Sequence, residues 1–240
     1  MSESGVDTTY MYRDHSVSTG TGLILIEEDS TNTIIDGDSA CQALTLEETK
    51  NAIEAMKEAK VFITGFGMPF RKALDGAKIA KQEYGMTTLC NVSPLPSEEM
   101  GELDYLDYMV LNDVEAKMLC NLPEDSDQEN YEIVRTLQQK YHCKGVIMTC
   151  SSKGSAIIDG DEYWEVEATP VKAVDTIGAG DGYLAAVAAN LVWGKSLRES
   201  TEWASKYAAY KVTRPGSMTK KPGCGYPNRE EVERFIDSIK

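Results

Sequence analysis

VFIT at 61–64, TTLCN at 87–91, YMVL at 108–111 and GVIMT at 145–149 are four short apolar runs, and what lies between them decides the fold. Helical periodicity occupies the gaps, over Phe70 to Tyr84, Asp113 to Cys120 and Glu129 to Tyr141. Strands that are apolar throughout, rather than alternately apolar and polar, must be covered on both faces. Strand and helix in turn therefore predict an α/β fold, a three-layer αβα sandwich with a mostly parallel sheet.

The flanks read more simply. Thr21 to Ile26 and Thr33 to Ile35 are β-rich runs on either side of the polar turn Glu27 to Asn32, either a hairpin or adjacent strands. Thr45 and Glu48 have the spacing of a capping box and open an amphipathic helix through Ala59. Further on, Ser155 to Asp159 and Tyr163 to Val166 flank Gly160-Asp161, the signal of a short-loop hairpin. Two long helices follow, Gly180 to Trp193 and Leu197 to Val212, then a loop from Pro215 to Pro227 and a last helix from Arg229 to Ile239. That last amphipathic helix needs a core to cover, so residues 1–240 read as a single domain.

Composition narrows the function. A chain of 240 residues with 42% hydrophobic content can bury a substantial core. Lys and Arg number 24 against 39 Asp and Glu, and the net charge of −15 argues against nucleic acid or an anionic membrane as partner. The six cysteines lie scattered without a Cys-x-x-Cys pair, which suits reduced thiols and a cytoplasmic protein. No apolar signal region opens the chain, and no apolar run reaches the roughly 18 residues of a membrane span.

The chemistry gathers in Asp175, Thr176, Ile177, Gly178, Ala179, Gly180 and Asp181, which run straight into the helix. Small residues at a helix start leave backbone N–H groups of Gly178, Ala179 and Gly180 free to hold a developing phosphate charge. Asp181 at that mouth would repel phosphate. Its use there is to accept a proton from a hydroxyl that attacks phosphorus. The ordinary explanation for a bare Gly-x-Gly-Asp is a tight turn with an acid against the helix dipole.

In a doubly wound sheet, ligands bind beyond the carboxyl ends of the strands. Asn112 and Glu115 follow one strand with the spacing of a cap and a first-turn acid; the same pair can stand near Mg²⁺, which takes one or two carboxylates beside nucleotide phosphates. Thr149, Ser151, Lys153 and Gly154 follow another strand, either as a polar turn or as hydroxyls, backbone and charge for a nucleotide. The loop Asn91 to Pro94 is a weaker candidate of the same kind.

The string from Asp175 to Asp181 is the signature of the PfkB sugar-kinase family, and from it the chain resembles that family's ribokinase-like members. Leu111 to Ala116 is similar to the family's Asn-x-x-Glu motif, and Thr149 to Gly154 to its Thr-x-Gly-x-x-Gly segment, with Ser151 where Gly is usual. The resemblance implies phosphorylation of a sugar hydroxyl by ATP, ribose to ribose 5-phosphate in the first instance. Asp181 would be the base, Gly178, Ala179 and Gly180 the anion hole, and Asn112 and Glu115 the Mg²⁺ residues, reaching the ion through water. Thr149, Ser151, Lys153, Gly154 and Gly180 would border the nucleotide. The resemblance also implies a monovalent cation such as K⁺ on the carbonyls of Asp175 and Ile177, and a homodimer through the lid strands.

The match starts near Gly5, roughly 60 to 70 residues after members of the family usually begin. Residues 18–36 would then be what remains of a reduced β lid. Two sugar-contact places, at Gly37 to Ala40 and Gly65 to Gly67, depart from the family pattern. Two further readings stay open on these residues: a non-catalytic nucleotide-binding relative, and an adenosine or other nucleoside kinase.

Overall fold

The computed structural model describes residues 5–26, 32–37, 40–216, 219, 221 and 223–239. Its centre is a six-stranded sheet of β3 (Val61–Gly65), β4 (Thr87–Asn91), β5 (Tyr108–Asn112), β6 (Gly145–Thr149), β7 (Ser155–Asp159) and β8 (Glu162–Val166), in that spatial order. The first four strands pair in parallel, and β7 and β8 add an antiparallel edge. The expected mostly parallel α/β sheet is present.

Alternate side chains of each central strand enter different cores. Leu89, Val110, Ile147 and Ile157 face α5 (Ala179–Val192) and α6 (Leu197–Val212). Cys90, Met109, Leu111, Val146, Met148, Ala156 and Ile158 face α2 (Phe70–Tyr84), α3 (Asp113–Leu119) and α4 (Asn130–Tyr141). Both sets are almost fully buried, which is why these strands are apolar throughout. Each side chain of this size removed from water contributes about 1.5–3 kcal/mol.

Local signals fix the helix ends. α1 (Leu46–Ala55) opens on the expected capping box: the Glu48 amide donates to Thr45 Oγ1 at 3.2 Å and the Thr45 amide to Glu48 Oε2 at 2.8 Å. It stops at Ala55 instead of Ala59, because the chain tightens there, with Lys57 N–H on Glu54 O and Ala59 N–H on Met56 O, to reach β3 at once. α6 opens on a second box, Ser196 with Glu199, and α7 (Arg229–Ser238) on a third, Asn228 with Glu231.

Ahead of this core, β1 (Gly22–Ile26) and β2 (Asn32–Asp36) pair antiparallel, with Leu23 opposite Ile35. The two β-rich runs are thus a hairpin. Residues 27–31 of its turn, and Asp38 and Ser39 of the 37–40 stretch, lie outside the described residues. Among the described residues, no helix is long and apolar enough to cross a membrane.

Candidate active site

A cavity of about 570 Å³ opens between the carboxyl end of the sheet and the helices α5 and α6. Its size is that of a small-molecule site. One wall carries hydroxyls and open backbone, from Thr149, Ser151, Ser152, Gly154 and Thr176. Ala179 and Gly180 close the side at the start of α5. The opposite wall is apolar and low, made by Ala168, Pro170, Val171 and Ala173 with Ala208, Ala209 and Val212. A slot with small apolar walls and a polar end leading to a helix N-terminus accommodates a flat heterocycle followed by phosphate.

Two backbone features shape the polar wall. Gly154 has φ +100, and a Cβ there would lie 1.9 Å from Val166 O and 2.8 Å from Ala168 N, so only glycine fits. Ser151 adopts φ 52, the left-handed conformation that a glycine would take without cost. The short turn Ser151–Lys153 is closed by Lys153 N–H on Cys150 O and Cys150 N–H on Gly154 O. Lys153 is exposed and does not line the cavity.

The start of α5 is open. Gly178, at φ 76, is its N-cap, and no side chain caps it. Gly182 N–H makes the first helical bond, to Gly178 O at 2.9 Å. The Ala179 amide turns back onto Thr176 O at 3.1 Å. Of the three amides expected to face an anion, that of Ala179 is therefore engaged within the chain, and the first-turn donors of Gly180 and Asp181 carry the open end of the helix. Asp181 is exposed at this mouth.

Asp181 is met from the far end of the chain. The Tyr226 hydroxyl lies close to it, and burial, together with the charge of Asp181, pushes the phenol above its ordinary value. Gly182 makes room for the contact, since a Cβ there would stand 2.8 Å from the Tyr207 ring and 3.4 Å from the Tyr226 ring. Tyr207 in turn donates to Pro227 O at 3.1 Å. Buried Arg214 holds the same loop through Gly225 O and Cys224 O, each at 3.0 Å, and pairs with Glu231 at 3.0 Å.

The loop before α5 is pinned just as closely. Asp175 accepts from the amides of Ile177 at 2.9 Å and Gly216 at 2.7 Å. The Val174 and Asp175 amides donate to Val212 O at 2.7 and 3.0 Å. The carbonyls of Asp175 and Ile177, expected to face a monovalent cation, both accept from Lys211 Nζ.

Asn112 and Glu115 form a capping box at the start of α3, with Glu115 N–H on Asn112 Oδ1 at 2.8 Å and Asn112 N–H on Glu115 Oε2 at 2.9 Å. They do not line the cavity. Asn112 is nonetheless the register partner of Thr149, so the box stands at the strand end next to the polar wall.

The structure thus gathers Thr149, Ser151, Gly154, Ala179 and Gly180 around one space, with Asp181 and Gly178 at its helix end. Sequence reasoning missed the apolar wall, Gly182, Lys211 and Tyr226. For the wall there was a signal: Ser205, Ala208, Ala209 and Val212 form a small-residue stripe at helical spacing on α6.

Residues 1–224 match the family model described as pfkB family carbohydrate kinase. The chain is 26% identical over 236 residues to a deoxyribokinase of Salmonella typhi, covering 97% of this chain and 74% of that protein. It superposes on the crystal structure of ribokinase from Thermotoga maritima with a TM-score of 0.74 at 26% identity, over 91% of this chain and 70% of the other. Arabidopsis thaliana ribokinase complexed with ribose and ATP shares the fold, with a TM-score of 0.74 at 24% identity over 90% of this chain and 69% of that one.

Proposed function

The chain belongs to the pfkB family of carbohydrate kinases, and on that premise we propose that it transfers the γ-phosphoryl group of ATP to a hydroxyl of ribose, giving ribose 5-phosphate and ADP. The observation that carries this reading is the place of Asp181, in the uncapped first turn of α5 directly after Gly180, which lines the cavity. The acceptor hydroxyl attacks phosphorus, its proton passes to Asp181, and the bond to the ADP oxygen breaks. The open amides at the start of α5 meet the charge on the transferring phosphoryl group. The adenine and ribose of ATP fill the slot between residues 168–173 and the α6 stripe, whose small apolar side chains suit a flat heterocycle.

We place magnesium beside the box at the end of β5: Glu115 Oε2 and Asn112 Oδ1 serve the cap, and the other oxygen of the Glu115 carboxylate would hold the ion through water, as suits a cation that takes few carboxylates. When bound with the nucleotide it neutralises phosphate charge. A homodimer through the β1–β2 hairpin belongs to the same reading, supported by the exposed Leu23, Leu25 and Ile35.

Ribose-dependent ADP release by the full chain tests the proposal. Asp181→Asn is expected to lower kcat by about 10²–10⁴ while nucleotide binding persists. Unchanged turnover would remove Asp181 from the role of base. The similarity to the Salmonella deoxyribokinase favours 2-deoxyribose as the second acceptor to assay, and the ratio of kcat/KM for the two sugars decides between them.

A further inference from the structure

The carbonyls of Asp175 and Ile177 are already covered by a cation that belongs to the chain. Lys211 lies in the last turn of α6, fully buried, and its Nζ donates to Asp175 O at 3.2 Å and to Ile177 O. A potassium ion seated on these two oxygens would overlap the ammonium nitrogen and meet a like charge. The residues present therefore do not fit an ion taken from solution.

We propose that Lys211 is the fixed cation of this loop, an ammonium that stands in place of a dissociable monovalent ion and makes the site indifferent to external potassium. A buried ammonium needs partners, and several are at hand. Two carbonyls accept its hydrogens, the Asp175 carboxylate lies close enough to interact with its charge, and the carbonyl end of α6 adds its dipole. A tethered ammonium is present at every salt concentration, whereas a free ion must be captured at each binding event.

Lys211 does not itself line the cavity, so it is a positioning residue. It acts through Ile177 on Gly178, the left-handed N-cap that aims the first turn of α5. With Val174 and Asp175 bonded to Val212 O, and the Asp175 carboxylate bonded to Gly216, the ammonium completes a loop fixed to α6 on every side. Removing it leaves two half-buried carbonyls without their shared donor, free to meet a monovalent cation from solution.

The test compares the full chain with Lys211→Met in KCl, NH₄Cl, NaCl and choline chloride at equal ionic strength, by thermal unfolding and by sugar-dependent ADP release. The ADP readout rests on the kinase reading above; the thermal one does not. The unsubstituted protein is expected to hold its Tm within about 1 °C and its kcat within about twofold across the four salts. Lys211→Met is expected to lose roughly 10- to 100-fold in kcat in choline chloride, with a lower Tm, and to regain both in KCl or NH₄Cl more than in NaCl. A saturable rise of Tm or kcat with potassium in the unsubstituted protein overturns the proposal, and that titration decides it even where the variant does not fold. Losses in Lys211→Met that are equal in all four salts overturn it as well. If no sugar is phosphorylated under any condition, the kinase reading fails, and the thermal comparison still decides the role of Lys211.

Discussion

The hydroxyl of Tyr226 lies close enough to the carboxylate of Asp181 to feel its charge, so a residue from the last loop of the chain reaches the proposed base. The phenol, pushed above its ordinary value by burial and by that charge, stays a protonated donor at neutral pH. A phenol donor beside a carboxylate favours one orientation of it, since a hydrogen bond to a charged acceptor is among the stronger ones. Tyr226→Phe keeps the ring against Gly182 and removes only the donor. The expected result is a fall in kcat of roughly tenfold with KM for ATP unchanged, read from steady-state kinetics. Equal kcat in the two proteins would show that the hydroxyl has no part in turnover.

The apolar wall makes a separate prediction. Ala208 lines the slot from α6, and Ala208→Phe would fill it where the nucleotide base is placed. KM for ATP should rise by about tenfold or more, a larger effect than the loss of Tm, since the new ring enters the cavity although Ala208 also packs against the α5–α6 core. A variant with normal ATP affinity would put the base elsewhere.

Acid should loosen the loop before α5 in a defined window. Burial alone would raise the Asp175 carboxyl, but the amides of Ile177 and Gly216 and the charge of Lys211 outweigh it and hold the group below its ordinary 3.8. A carboxylate lowered in the folded state contributes stability that is fully present above the unfolded value and is lost as pH falls through the folded one. The stability gap between the natural protein and Asp175→Asn should therefore stay constant from about pH 8 to 5 and shrink below about pH 4. Urea titrations at a series of pH values measure it. A gap that persists undiminished in acid would mean that Asp175 acts by shape and not by charge.

Arg214 couples stability to chemistry. Its guanidinium holds Cys224 O, Gly225 O and Glu231, and Tyr226 follows directly. Arg214→Met is expected to lower the unfolding free energy by about 3 kcal/mol, because Glu231 and two carbonyls lose a buried partner. It should also lower kcat, and the double variant with Tyr226→Phe should fall short of the product of the single effects. Multiplicative losses would separate the two residues.

The elements were legible where chemistry marks their ends. α2 ends at Tyr84 as its periodicity predicts, because Gly85 takes the left-handed C-cap conformation at φ 67. α6 begins at Leu197 because Ser196 and Glu199 cap it reciprocally. Thr149 and Gly154 could be picked out because an α/β sheet presents ligands at strand ends, and Ala179 and Gly180 because small residues leave a helix start open. Ala208 and Ala209 showed only as part of the small-residue stripe on α6, which does not tell a slot from a core, because a small residue has the same side chain whether it lines the one or packs the other. Lys211 left a trace that was passed over: Leu197, Ala204 and Lys211 recur every seven residues on the buried stripe of α6, and a lysine there requires a buried partner. Tyr226 left none, since its contact with Asp181 spans a loop whose path only the folded chain defines.

The end of α6 has a consequence for how the site fails. Within one turn, Lys211 and Val212 hold residues 174–177 while Arg214 holds 224 and 225, so both loops hang from the same few backbone bonds. Fraying of that single turn releases proton acceptor and phosphate mouth together. Amide hydrogens of Val174, Asp175 and Gly216 should consequently exchange with solvent at one shared rate, slower when nucleotide rests on Ala209 and Val212, and the site should switch off as a unit well below the temperature at which the sheet melts.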